Sequence, residues 1–294
     1  MNRPLPGLDA ASLLQRVATR VPASLRAHVV VIGSIATAWA FRDVSGTHMV
    51  ATKDIDLLLR PAVDAVTTAE SLGKELLEDG WEPRYPNGIA PGNAATPDNE
   101  LPALRLSPPD AGDAWFVELL AEPPTGQVAR KHWRRIHTAT GDFGLPSFRY
   151  MGVAVHGADV LDSGLRVAHP ASMALAHLLE HAEPDRTPIA GLPGNPPRFT
   201  KDVGRAVSLW WLAREQSPLA DSQWLAAWQA ALGALFPGRE QAMQAAARAG
   251  LESLTDYLRE AHAIALNGVL APHGTTLDAY RRAHASLLDL IDRL

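Results

Sequence analysis

The chain has 294 residues, 47% of them hydrophobic and 20% charged, which excludes a disordered or fibrous protein and allows one large domain or two modest ones. Its formal charge is -5, from 27 basic and 32 acidic side chains, so it cannot coat nucleic acid by bulk electrostatics and would need a local patch. There is no cysteine, and hence no disulfide, thiolate zinc site or Cys nucleophile. No apolar run approaches the ~18 residues of a transmembrane helix, so no membrane partner is expected. The opening residues lack the charged-then-apolar pattern of a secretory leader, which makes the cytoplasm the expected compartment.

In chain order, residues 8–19 have the spacing of a short amphipathic helix. Residues 28–32 (HVVVI) form a β-branched strand that ends at Gly33-Ser34, and 35–41 continue as helix. A second strand covers 54–59 (DIDLLL). A helix over 62–78 follows, with Val63, Val66 and Leu72 as its candidate buried face. Strands are expected at 81–85, 101–106 and 115–120, with a Pro-, Gly- and Asn-rich loop over 86–99. The basic run Arg130-Lys131-His132-Trp133-Arg134-Arg135 is expected in a loop, followed by short extended pieces up to residue 164. Pro170 is suited to open a helix running to about residue 182, and a Pro/Gly-rich loop covers 183–198. Helices then follow over 201–215, 221–235, 239–248, 251–266 and 276–294. The expected class is α+β. A mixed-sheet domain flanked by helices occupies residues 1–165, and an all-helical carboxy-terminal domain occupies 166–294.

Asp54 and Asp56 stand two apart on a strand, so both carboxylates project from one face. Two like charges so close call for a cation, and hard oxygen ligands suit Mg²⁺, or Mn²⁺, together with substrate phosphates. Gly33-Ser34 lies where a strand turns into a helix, a position at which backbone amides and the helix dipole favour phosphate. A metal-binding pair beside a phosphate cradle points to metal-assisted phosphoryl or nucleotidyl transfer. Glu118, an acid inside an apolar strand pattern, is the candidate third carboxylate, with Glu122 in reserve.

The order of strand, Gly33-Ser34, helix, Asp54-Ile55-Asp56 on a strand, and a later in-strand acid resembles the nucleotidyltransferase superfamily typified by DNA polymerase beta. Thr52-Lys53-Asp54-Ile55-Asp56, Val167-Ala168-His169-Pro170 and Lys201-Asp202 are similar to the bacterial branch related to toxin–antitoxin and abortive-infection nucleotidyltransferases. The resemblance spans roughly residues 27–210. It implies that Asp54, Asp56 and Glu118 are the catalytic, metal-binding triad. It further implies that Gly33, Ser34, Thr52 and Lys201 contact a nucleoside triphosphate, and that a cognate antitoxin is a partner. Val50 stands where the branch often has arginine, His177 where it has lysine, and Gly204-Arg205-Ala206 where it has an acid. Those departures support a second expectation, a degenerate member that binds nucleotide or a partner without catalysis.

Two further patterns carry expectations of their own. Arg130, Lys131, Trp133, Arg134 and Arg135 would bind an RNA acceptor, the cations on its phosphates and the indole on a base. His177-Leu-Leu-Glu180-His181 has the H-x-x-E-H order of inverted zinc proteases, a minor alternative of zinc hydrolysis.

Overall fold

The computed structural model describes all residues except 1–7, 46–48, 51, 86, 87, 113, 191 and 193. The protein is α+β with a mixed sheet. Two compact units divide it: one is drawn from the described residues of 1–36, 52–152 and 158–168, the other from those of 37–51, 153–157 and 169–294. Residues 37–51 and 153–157 thus count with the helical unit although they precede residue 165.

The first unit is built on a seven-stranded sheet. Its strands are β1 (Val29–Ile32), β2 (Asp54–Leu59), β3 (Glu82–Pro83), β4 (Arg105–Ser107), β5 (Phe116–Ala121), β8 (Asp159–Val160) and β9 (Arg166–Val167). The order across the sheet is β8-β9-β1-β2-β5-β4-β3. β9 runs parallel to β1 and β5 parallel to β2, while the other neighbours are antiparallel. β1 is buried along its whole length, as its unbroken VVVI run requires. β2 and β5 alternate only at their first residues and then bury three in succession, so their polar ends lie at one margin of the sheet.

Helix α1 (Ala10–Arg20) is capped by Asp9, whose Oδ1 accepts from the Ser12 amide at 2.7 Å. The next long helix of this unit, α3, starts at Ala65 and runs to Glu78, three residues later than expected. Val63 therefore lies outside it and is 86% exposed. The buried stripe is Ala65, Thr68, Ala69, Leu72, Gly73 and Leu76, so of the three expected core residues only Leu72 is fully buried. β3 and β4 are shorter than expected because Pro83 has no amide to donate, which ends the sheet at β3.

The basic run is not a loop. Lys131–Thr138 is a full strand, β6, paired antiparallel with β7 (Gly141–Phe148) through eight residue pairs. The Thr138 hydroxyl closes the tight turn, accepting from the Thr140 amide at 3.2 Å and donating to the Gly141 carbonyl at 2.9 Å. β7 contains two glycines and a proline, so neither strand carries the alternation that sequence reading depends on.

The second unit is helical. Its core helix α4 (Pro170–Glu180) is buried on nearly every side, as its apolar sequence demands, with Pro170 at the first turn and His169 as N-cap. Against it pack α5 (Arg198–Gln216), α6 (Ala220–Leu235) and α7 (Glu240–Glu252). Trp228 donates its indole N–H to the Ala171 carbonyl at 2.7 Å, and Trp210, Trp224 and Trp228 form a chain of rings 5.0 and 5.6 Å apart. The single helix expected over 251–266 breaks. Leu254 is fully buried and the Tyr257 ring meets Phe199 at 5.1 Å, so a 3-10 turn over Thr255–Tyr257 separates α7 from α8 (Leu258–Leu266). Helix α9 (Leu277–Asp292) closes the unit, with Tyr280 donating to the Gly204 carbonyl at 2.7 Å.

Gly250 sits where α7 crosses α4, so close that a β-carbon there would overlap the Leu178 carbonyl oxygen. Gly250→Ala should therefore lower stability by about 1–3 kcal/mol, against the gain of up to about 1 kcal/mol that alanine brings to an open helix position. Thermal unfolding checks this, and a raised midpoint would refute the close crossing.

Candidate active site

Strand register brings four of the expected site residues together in the first unit. Ile32, the last residue of β1, lies opposite Asp56, so the chain leaves the sheet at Gly33 beside that carboxylate. Gly33 has φ +74°, the left-handed region, and a β-carbon there would stand 2.5 Å from Asp56 Oδ2. Glycine is the residue this turn favours; helix α2 (Gly33–Ala40) begins there, with Ser34 in its first turn. Asp54 and Asp56 are both partly exposed while Ile55 and Leu57 are buried, so the two carboxylates share a face. In the parallel pair of β2 and β5, Asp56 is level with Glu118 and Asp54 with Phe116, which puts Glu118 on the same face.

One residue of this row is absent from the sequence reading. Arg105 on β4 is paired with Glu118 in register, and its Nε donates to Glu118 Oε2 at 2.6 Å. Both side chains are mostly buried, 30% and 15% exposed. The row across three strands is therefore Asp56, Glu118, Arg105, and the third carboxylate already has a cation beside it. Arg105 gives a weak sequence signal, being a lone charge in a strand of three residues. The Thr52 hydroxyl donates to Asp54 Oδ1, and Thr52 itself is 7% exposed, so it braces a carboxylate. Lys201 belongs to the other unit, exposed in the first turn of α5. Glu122 lies beyond the far end of β5, its amide on the Leu59 carbonyl and four residues from Glu118, or about 13 Å of extended strand. It does not join the row.

The donor set suits a hard divalent cation. Two carboxylates on one face, beside a turn whose space is filled by one of them, match Mg²⁺, which commonly takes one or two carboxylates and completes its shell with water and phosphate. Among the described residues no three His, Asp or Glu side chains converge as a ready-made metal cage. With Glu118 engaged by Arg105, Asp54 and Asp56 are the residues that would hold the ion.

The five residues expected to bind an acceptor are dispersed along β6 and its flank. Arg134 donates to the Ala62 carbonyl at 2.5 Å and the Glu122 carbonyl at 3.2 Å, and burial lowers its pKa. Arg135 binds Asp142 at 2.6 Å, Asp98 at 2.9 Å and the carbonyls of Asn93 and Thr96. The Asp142 hydrogen bond foremost raises its pKa, and Asp142 is held low by His137 and then by Arg135. These two guanidinium groups tie loops to the hairpin. Lys131 lies over the Trp133 ring at 4.0 Å, and Arg130 is half-buried just before the strand.

In the second unit, His181 is 2% exposed and its Nε2 meets Asp202 Oδ2 at 3.2 Å. Its Nδ1 accepts a long bond from the Asp185 amide at 3.5 Å, so Nε2 carries the proton and donates. That leaves His181 no lone pair for zinc. Asp202 is held well below the usual carboxylate range: burial opposes this, but the His181 bond and the nearby His177 and Arg205 outweigh it. Burial pushes the His177 imidazole down to about 4, against a smaller pull from Asp202, so it is neutral at pH 7. Comparison with known proteins finds no matching family, no matching curated protein and no matching solved structure.

Because the folded pKa of His177 lies below its unfolded value, the unfolded chain takes up the proton first as pH falls. Stability should drop between about pH 6.5 and about pH 4, by about 1–3 kcal/mol from this group. His177→Gln should flatten that part of the acid limb in denaturant unfolding measured at several pH values. An unchanged slope would refute the assignment.

Proposed function

We propose that the first unit is a metal-dependent nucleotidyltransferase centre that moves a nucleoside monophosphate from a nucleoside triphosphate to an acceptor hydroxyl. The observation that carries this reading is the contact between Asp56 and the left-handed Gly33 turn, with Asp54 on the same face and Glu118 level on the next strand. Phosphate-holding amides and metal-holding carboxylates are then parts of one rigid corner of the sheet.

Asp54 and Asp56 would hold Mg²⁺, Asp54 braced by Thr52 and Asp56 lying beside the Gly33 turn. A bound Mg²⁺ supplies charge neutralisation on the triphosphate and lowers the pKa of a coordinated hydroxyl. The amides of Gly33 and Ser34, at the positive end of α2, hold the triphosphate. In the transfer, the acceptor oxygen bonds to the α-phosphorus, the bond to the β-phosphate oxygen breaks, and pyrophosphate departs. Glu118 is turned by Arg105 through Oε2, which leaves Oε1 to take the acceptor proton. The acceptor subsite does not rest on Arg134 and Arg135, whose terminal nitrogens are engaged in tying neighbouring loops to the hairpin.

A second reading is favoured by one observation. The Arg105–Glu118 pair offsets the third carboxylate, as it would in a centre that binds nucleotide without turning it over. Nucleotide binding without pyrophosphate release would establish that reading.

Asp56→Asn should reduce transfer of labelled nucleoside monophosphate by at least about a hundredfold, the scale expected when an electrostatic contact to the transition state is lost. The unfolding midpoint should hold or rise, because like-charge repulsion with Asp54 is relieved. The same substitution should abolish any Mg²⁺-dependent rise in midpoint produced by a nucleoside triphosphate. Unchanged turnover in the variant would overturn the reading.

A further inference from the structure

A cavity of about 670 Å³ opens at the β3–β4–β5 margin of the sheet, lined by Glu82, Arg84, Tyr85, Arg105, Ser107 and Phe116. It adjoins the carboxylate row, because Arg105 belongs to both. We propose that this cavity is a subsite for a nucleotide phosphomonoester, the phosphate held by Arg84, Arg105 and Ser107 and the heterocycle lying against Tyr85. As the acceptor subsite of the centre above, it rests on the transferase reading; as a binding site it stands alone.

Three observations carry it. First, two guanidinium groups flank one ring: Arg84 lies 4.8 Å and Arg105 5.5 Å from the centre of Phe116. The aromatic stem fixes both forks at the mouth of the cavity, and planar guanidinium forks match phosphate oxygens. Only Nε of Arg105 is spent on Glu118, and among the described residues its terminal nitrogens make no other hydrogen bond. Second, Ser107 is 9% exposed, yet its hydroxyl oxygen is buried and has no hydrogen-bond partner among the described residues. A buried unpaired hydroxyl is costly, and an oxygen-bearing ligand in the cavity it lines would satisfy it. Third, Tyr85 is 42% exposed at the rim, an aromatic face available to a base. Among the described lining residues the one carboxylate, Glu82, is solvent-exposed, so it is screened more than the half-buried arginines are.

The arrangement also couples the subsite to the row. A phosphate drawn onto Arg105 shares the cation that Glu118 holds alone, and so frees charge on Glu118 beside Asp56. Acceptor arrival and readiness of the third carboxylate become one event.

The test is isothermal titration of the full chain with inorganic phosphate, adenosine, adenosine monophosphate and a triadenylate, without triphosphate and with chelator present. Adenosine monophosphate should bind about tenfold or more tightly than phosphate or adenosine, because both the ring and the fork are engaged. Tighter binding of the triadenylate would identify an RNA strand end as the source of the phosphomonoester, and equal or weaker binding a free nucleotide. Arg84→Gln and Ser107→Ala should each weaken adenosine monophosphate by about tenfold. Ser107→Ala removes only a hydroxyl and guards against misfolding as the cause. Asp56→Asn should leave this binding intact. No binding by any probe, or binding lost in Asp56→Asn but kept in both cavity variants, would overturn the proposal. Binding in the cavity together with absent transfer would leave the subsite standing and defeat the transferase reading instead.

Discussion

The turn at Gly33 and the carboxylate of Asp56 constrain each other: the backbone there is left-handed, which disfavours any side chain, and a β-carbon would also have to displace the tip of Asp56. The helix that starts at Gly33 is held against the end of β1, and its first turn comes already aligned with an acid. Asp54 must then share the face of Asp56, because strand alternation allows nothing else. Repulsion between the two is tolerated at the edge of the sheet, where both are partly exposed, and would be far costlier three residues further on, where β2 is buried on both sides.

Charge balance across the row is the second constraint. Asp56, Glu118 and Arg105 stand side by side on three strands, and the only cation among them sits at the far end from Asp56. Glu118 is the better buried partner of the Arg105 pair and would be expensive to leave unpaired. The arginine therefore supplies, within the protein itself, a counter-charge for the most buried carboxylate of the row.

The elements easiest to foresee were those whose burial is one-sided or complete. The strand at Asp54–Leu59 falls on its expected residues, and the helices beginning near Pro170, Ala220 and Leu277 lie within a few residues of expectation, two of them helped by side-chain caps at His169 and Thr276. The β6–β7 hairpin was illegible for a physical reason. Arg134 and Arg135 reach carbonyls and carboxylates at residues 62 and 93–98, partners that no local window contains. A run of cations looks solvated when its acids are distant in sequence. The same blindness hid Arg105, whose meaning lies in a register pairing with Glu118 thirteen residues away. Gly33, Asp54, Asp56 and Glu118 were legible because their order along the chain mirrors strand order closely enough to suggest adjacency.

The helical unit shows how residues of the same types can be committed elsewhere. The His-x-x-Glu-His order places two imidazoles one turn apart, yet the second is buried, protonated on Nε2 and bound to Asp202, while the first is neutral by burial. Asp202, on α5, is thereby consumed as a structural anion bound to His181 at the end of α4. Gly204 obeys the same logic. Its β-carbon would stand 3.0 Å from that of Ala261, and its carbonyl accepts from Tyr280 and Ser208, so an acid on that turn of α5 would collide with α8 instead of facing a ligand. Packing has claimed the Gly204 position of α5. The chemistry proposed for this chain accordingly rests on residues of the sheet, whose burial leaves a polar margin open.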